Sequence, residues 1–202
     1  MKFIIPYILL LTALLIATAT AQILVEDLLK DLQTKFDSIE DVSVEFTQIH
    51  NGKSILSGVL KYKTENKLRI DSKKLLIISD GNTSWNYNES ENKVIISNYD
   101  ENSSGLLSIN ELVYVFPKGC DINSTEIDGK RVLVLIPNSY TVNFDKVQIW
   151  LTDDDLIDKV QINDASMGTT EIIFSNYHLN QNLSLSEFSF TPPKGSKIID
   201  LR

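Results

Sequence analysis

Ile77-Ile78-Ser79-Asp80-Gly81-Asn82-Thr83-Ser84-Trp85-Asn86-Tyr87-Asn88 decides the class of this fold. An apolar run meets Asp80-Gly81, a strong hairpin dipeptide, and leaves it on an alternation with Trp85 and Tyr87 on one side. The reading is two strands joined by a tight turn. The same grammar extends in both directions. Val42, Val44, Phe46 and Gln48 alternate with Ser43, Glu45 and Thr47, and strand-like runs then recur about every ten residues. They fall near 54–63, 67–71, 74–79, 83–88, 93–98, 121–127, 131–136, 142–152, 156–163, 169–178 and 187–191. Asp128-Gly129, Asp153-Asp154-Asp155 and the stretch from Asp164 to Gly168 supply further turns.

Two segments follow a different period. Leu24, Val25, Leu28, Leu29, Leu32, Phe36 and Ile39 recur at helical spacing, with Glu26, Asp27, Lys30, Asp31 and Lys35 on the other face. Ser108 to Phe116 reads as a short helix ended by Pro117, with Ile109, Leu112, Val113 and Phe116 on one side. A single antiparallel sheet of about ten to eleven strands curls and does not lie flat. Two helices are on hand to cover its concave face. The expected architecture is mainly β with helices, an incomplete antiparallel β-barrel closed by a helical lid. No repeat or long linker divides residues 22–202, so one domain is expected.

The N-terminus indicates where the chain works. Lys2, the apolar run from Phe3 to Ala17 and the small residues Ala19-Thr20-Ala21 form the pattern of a secretory signal peptide over 1–21. A mature chain from Gln22 is expected, exported and soluble, with no cysteine at the cleavage point to carry a lipid. Lys2 is the leader's one charge, so its loss takes the net charge from −8 to −9. That excess of acid opposes nucleic acid binding and docking on anionic lipid, both of which need basic surface. A hydrophobic share of 43%, with Val and Ile prominent, indicates a folded β-rich protein.

Chemistry-bearing motifs are sparse. The lone Cys120 forms no internal disulfide and reads as a buried thiol. His50 and His178 stand in no metal-ligand spacing, and there is no G-x-S-x-G elbow or phosphate loop. Asp153-Asp154-Asp155 lacks the spaced oxygens of a calcium loop and reads as a solvated turn. No metal and no cofactor is expected. Sequons begin at Asn82, Asn88, Asn102, Asn123 and Asn182, matches that arise easily in an Asn-rich chain. Scattered carboxylates could pair for glycoside hydrolysis, but nothing selects a pair. The informative pattern is apolar. Trp85 and Tyr87, with Phe46, Tyr62, Ile70, Ile77, Leu133, Leu135, Ile149 and Trp150 on neighbouring strands, read plainly as core. Their functional reading is that part of the concave face lines a cavity for an apolar ligand.

Phe46-Thr47-Gln48, the strand through Gly58-Val59-Leu60, the 77–88 hairpin and a closing Phe188-Ser189-Phe190-Thr191-Pro192-Pro193-Lys194-Gly195 occur in that order, before a final Asp200-Leu201-Arg202. This ordered set, F-x-Q, D-G-x-x-x-W-x-Y and F-x-F-x-P-P-x-G, resembles the periplasmic outer-membrane lipoprotein carrier family, LolA. The resemblance covers 24–202 in element order and is motif-level over 46–88 and 188–202. It implies a periplasmic, non-enzymatic chaperone whose hydrophobic cavity takes the acyl chains of lipoproteins. Cargo would arrive from an inner-membrane ABC transporter and leave for an outer-membrane acceptor, with no cofactor. The lipid-binding residues it implies are Phe46, Leu60, Ile70, Ile77, Trp85, Tyr87, Leu112, Phe116, Leu133 and Leu135. Of these, Trp85 and Tyr87 would stand on the cavity wall, while Leu112 and Phe116 are lid contacts by position. A monomer is expected, because a sealed cavity leaves little apolar surface for an interface. Where the family commonly has Arg-Pro after the Gly-x-Leu strand, this chain has Thr64-Glu65. That arginine is associated with holding the lid shut, and Lys63 and Arg69 are the substitutes at hand. Two rival readings are a related half-barrel that senses or stores lipid and a secreted hydrolase with two acids facing across a cleft.

Overall fold

β-branched and aromatic residues that alternate with polar ones bury one side of a strand, and twelve such strands make one open sheet. The computed structural model describes residues 25, 27–73, 75–99, 110–139 and 144–202. The expected leader over 1–21, the first two residues of the expected 108–116 helix, the start of the strand expected over 142–152 and the Asn102 sequon lie outside the described residues.

The strands are β1 (Asp41–His50), β2 (Lys53–Lys63), β3 (Lys67–Ser72), β4 (Leu76–Asp80), β5 (Thr83–Asn88), β6 (Lys93–Asn98), β7 (Cys120–Ile127), β8 (Lys130–Pro137), β9 (Lys146–Leu151), β10 (Ile157–Asp164), β11 (Gly168–Leu179) and β12 (Lys197–Asp200). Their order is β12-β6-β5-β4-β3-β2-β1-β11-β10-β9-β8-β7, so the chain's first strand lies mid-sheet against its eleventh. The neighbours are antiparallel except β12, which runs parallel to β6 and covers that edge. Irregularities in the β1–β11, β1–β2 and β9–β10 registers add local twist to a sheet that is not closed into a barrel. The incomplete barrel read from the sequence is the architecture found, with twelve strands among the described residues.

A helix over 27–37, α1, lays Leu28 and Leu32 on the concave face, and Leu32 is wholly buried. Between β6 and β7 the described part of the expected second helix is a single wide π-type turn, Glu111–Val115, then a 3₁₀ turn, Phe116–Gly119. The middle turn buries Leu112 and Val113 in the same cluster as α1.

The segment expected as a strand over 187–191 is a correction. Leu185–Phe188 is a 3₁₀ turn, with Ser184 accepting the Ser186 N–H at its start. The F-x-F alternation imitates a strand, but Pro192-Pro193 offers no N–H for a ladder. Strand β12, which the periodicity did not reveal, follows instead.

Candidate functional site: the concave face and its roof

Residues directly opposite across an antiparallel ladder share a face, so the registers trace each side of the sheet. Val44 pairs with Leu60, Leu60 with Ile70, and Ile70 with Ile77. Phe46 pairs with Phe174 across the other neighbour of β1. Farther along, Ile172, Val160, Ile149 and Leu133 form a second row across β11, β10, β9 and β8. Leu28, Leu32, Leu112 and Val113 roof these rows. Phe46, Leu60, Ile70, Leu112, Leu133 and Leu135 are each no more than 2% exposed and belong to one cluster. Ile77 and Phe116 are half-buried against it. The structure thus brings eight of the ten candidate residues together.

The other two are on the back of the sheet. Ile77 pairs with Asn86, and Ile78 with Trp85. Trp85 and Tyr87 therefore share the face of Ile78, Arg69 and Lys61, opposite to Ile70 and Leu60. The expectation that they line the cavity wall with Phe46 and Ile77 is corrected. The concave side of β5 is instead polar, with Ser84 opposite Ser79 and Asn86 opposite Ile77. The C-terminal segment packs on this back face. The Phe190 ring lies 5.6 Å from that of Tyr87, and Phe188, Ile78, Val94 and Ile96 are buried. Trp150, paired with Val132 and Lys159, is on the back face too, with the Lys159 ammonium 3.8 Å from its ring centroid.

Polar contacts divide along the same two faces. Lys63 and Arg69, the two substitutes considered for a lid latch, do not reach the roof. Lys63 donates to Asp41 at 3.3 Å. Arg69 donates to Asp71 and to the Glu187 carbonyl, and Lys61 donates to the Glu187 carboxylate at 2.8 Å, so both hold the C-terminal segment. Asp41 is buried and accepts the Gln181 and Leu183 N–H groups as well. Burial alone would raise its carboxyl, but those N–H groups and Lys63 prevail and hold it below the ordinary carboxylate range. The roof is pinned by α1 and the middle turn to one another. Gln33 Nε2 donates to the Val113 carbonyl at 3.0 Å, and the Tyr114 hydroxyl donates to Asp37 at 2.6 Å.

Reactive groups are structurally engaged. Burial pushes the Cys120 thiol above its ordinary value, with Asp121 adding to it, which keeps it a poor nucleophile. Asp155 accepts from Arg131 within its turn, and the His50 ring bonds Thr170 and Asn51. A cavity of about 610 Å³ opens at one end of the sheet between Ile136, Pro137, Phe144, Asp145, Asp164 and Met167, and none of the ten candidate residues lines it.

The profile of the family described as outer membrane lipoprotein carrier protein LolA matches residues 37–191. An outer-membrane lipoprotein carrier protein of Azotobacter vinelandii is 26% identical over 127 residues, 61% of this chain and 60% of that one. One from Legionella pneumophila strain Lens is 23% identical over 177 residues, 83% and 87% of the two chains. Among solved structures, an uncharacterized conserved protein from Thermus thermophilus superposes with a TM-score of 0.59 at 11% identity, covering 87% of this chain and 98% of that one. MucB superposes with a TM-score of 0.52 at 12% identity over 83% and 62%. At these identities the structural likenesses speak to the fold alone. The profile match extends over well more than half of the sequence, and the chain belongs to the outer membrane lipoprotein carrier protein family LolA.

Proposed function

We propose that this chain is a periplasmic carrier, exported by a leader over 1–21, that shelters the acyl chains of lipoproteins on its concave face. In this reading it is a single-domain monomer and not an enzyme. It takes cargo released by an inner-membrane ABC transporter and passes it to an outer-membrane acceptor. The acyl chains lie against Phe46, Leu60, Ile70, Ile77, Leu112, Phe116, Leu133 and Leu135.

The observation that carries the reading is an apolar concave face roofed, among the described residues, by two short helical pieces and not by a second sheet. Burying the roof residues Leu28, Leu32, Leu112 and Val113 stabilises it by roughly 1.5–3 kcal/mol each, a sum on the order of 10 kcal/mol. One C16 acyl chain exposes on the order of 10 kcal/mol of unfavourable surface to water. The two terms are of the same order, so cargo can exchange with the roof, and the roof can cover the face again once cargo leaves. No bond is made or broken.

The test is to isolate the exported chain from envelope extract and identify by mass spectrometry what accompanies it. Triacylated lipoproteins bound one to one are expected. Glycerophospholipid or fatty acid alone would replace this reading with lipid sensing or storage, and an empty protein that takes up no apolar probe would end both.

A further inference from the structure

Pro117 leaves a gap in the middle turn that another element fills. In a regular helix the Val113 carbonyl takes the N–H four residues on, but residue 117 is proline and has none. The turn widens, so that the Phe116 N–H bonds the Glu111 carbonyl. Val113 is fully buried, where a carbonyl without a partner is costly. Gln33 of α1 supplies the partner through its side-chain amide at 3.0 Å.

The next residue returns the contact. Tyr114 donates its hydroxyl to Asp37 Oδ1 at 2.6 Å, with the Gln33 carbonyl 3.4 Å away as alternative acceptor. Gln33 and Asp37 are one helical turn apart and so share a face of α1. Burial first, and then the Asp37 carboxylate, hold the Tyr114 phenol well above its ordinary value, which keeps it a donor. The far end of the turn is fixed separately, with the Phe116 ring 4.9 Å from that of Phe144 on the β8–β9 connection. The middle turn thus has an apolar anchor at one end and a polar clasp to α1 at the other.

We propose that Gln33, Asp37 and Tyr114 form a latch that makes α1 and the middle turn open as one unit. Each segment is too short to stand alone. An isolated helix of about three turns, as over 27–37, is marginal in water, and a single π turn more so. Joined, they are a two-part roof in which neither part lifts without breaking the same two hydrogen bonds. The inference rests on the carrier reading only for what enters beneath the roof.

Backbone hydrogen exchange of the exported chain, compared with Tyr114→Phe and Gln33→Met, tests the latch. Each variant keeps the side chain's bulk and removes its donor. Exchange is expected to quicken about tenfold in both 27–37 and 111–116, roughly the weight of one buried hydrogen bond, while β9 to β11 keep their protection. Quickening in one segment alone, in neither, or equally in every strand would overturn the latch. Binding of 11-(dansylamino)undecanoic acid to the same variants separates the two proposals. Tighter binding by a similar factor is expected, because more of the protein is open. Joint local quickening with no uptake of this acyl probe would sustain the latch and sink the carrier reading.

Discussion

Gly81 shows how one residue fixes a hairpin. It occupies φ +98, the positive value needed at the first of the two loop residues between β4 and β5, and a Cβ there would drive into the Glu65 carbonyl oxygen. Asp80 Oδ1 accepts the Asn82 and Thr83 N–H groups, and the buried Ser79 hydroxyl accepts that of Gly81. Gly81→Ala is therefore expected to cost about 2–3 kcal/mol in urea unfolding; a loss under about 0.5 kcal/mol would show that the turn relaxes freely. Trp85 makes the complementary case. It lies on the back of the sheet, half-buried beside a packed segment, so Trp85→Ala is expected to lower stability by about 2 kcal/mol. Retention of lipoprotein should be unchanged at a temperature where the variant stays folded. Loss of retention without loss of stability would return Trp85 to the binding face.

At the scale of elements, most of the fold could be read from period and turns, and what escaped did so for a physical reason. Alternation is a local property, so β1 and β2 announce their buried side. It says nothing about direction when both sides are apolar. β4 carries Leu76-Ile77-Ile78 and β6 carries Val94-Ile95-Ile96, and each strand is covered on its back by residues about a hundred positions later. The sequence holds no nearby sign that Phe188 and Phe190 do this, so Trp85 and Tyr87 read as cavity residues. The polar clasp between Gln33, Asp37 and Tyr114 was equally hidden, because its partners are some eighty residues apart. Asp41 ties that same C-terminal cover to β1 and β2. Its folded carboxyl titrates below its unfolded one, so its contribution is whole above about pH 4 and fades as the pH falls through the folded value. Asp41→Asn should be less stable by about 1–2 kcal/mol at pH 7, and chemical denaturation across pH 2 to 7 should show the gap closing below about pH 4. A gap that is constant with pH would mean that the carboxylate is not what holds the segment.

As a whole molecule the protein is one twisted sheet that buries opposite faces at its two ends. From β1 to β3 and β8 to β11 the apolar side is concave and lies under the roof. In β5 and β6 the row holding Trp85, Tyr87, Val94 and Ile96 faces backward, under the C-terminal segment. The two covers differ in how they are fastened. Residues 181–202 are held by Asp41, Lys61 and Arg69 and by the β12 ladder. The roof rests on the packing of Leu28, Leu32, Leu112 and Val113, one aromatic contact and one polar clasp. A weakly fastened cover is the one a ligand can exchange with. The central claim is that cargo lies on the concave face beneath that roof, and cross-linking from within tests it most directly. A photoreactive benzoyl-phenylalanine placed at Phe116, at the roof's edge, is compared with one at Tyr87 on the back, in cells making lipoproteins. The account predicts lipoprotein adducts from Phe116 and none from Tyr87. Adducts from Tyr87 with none from Phe116 would contradict it.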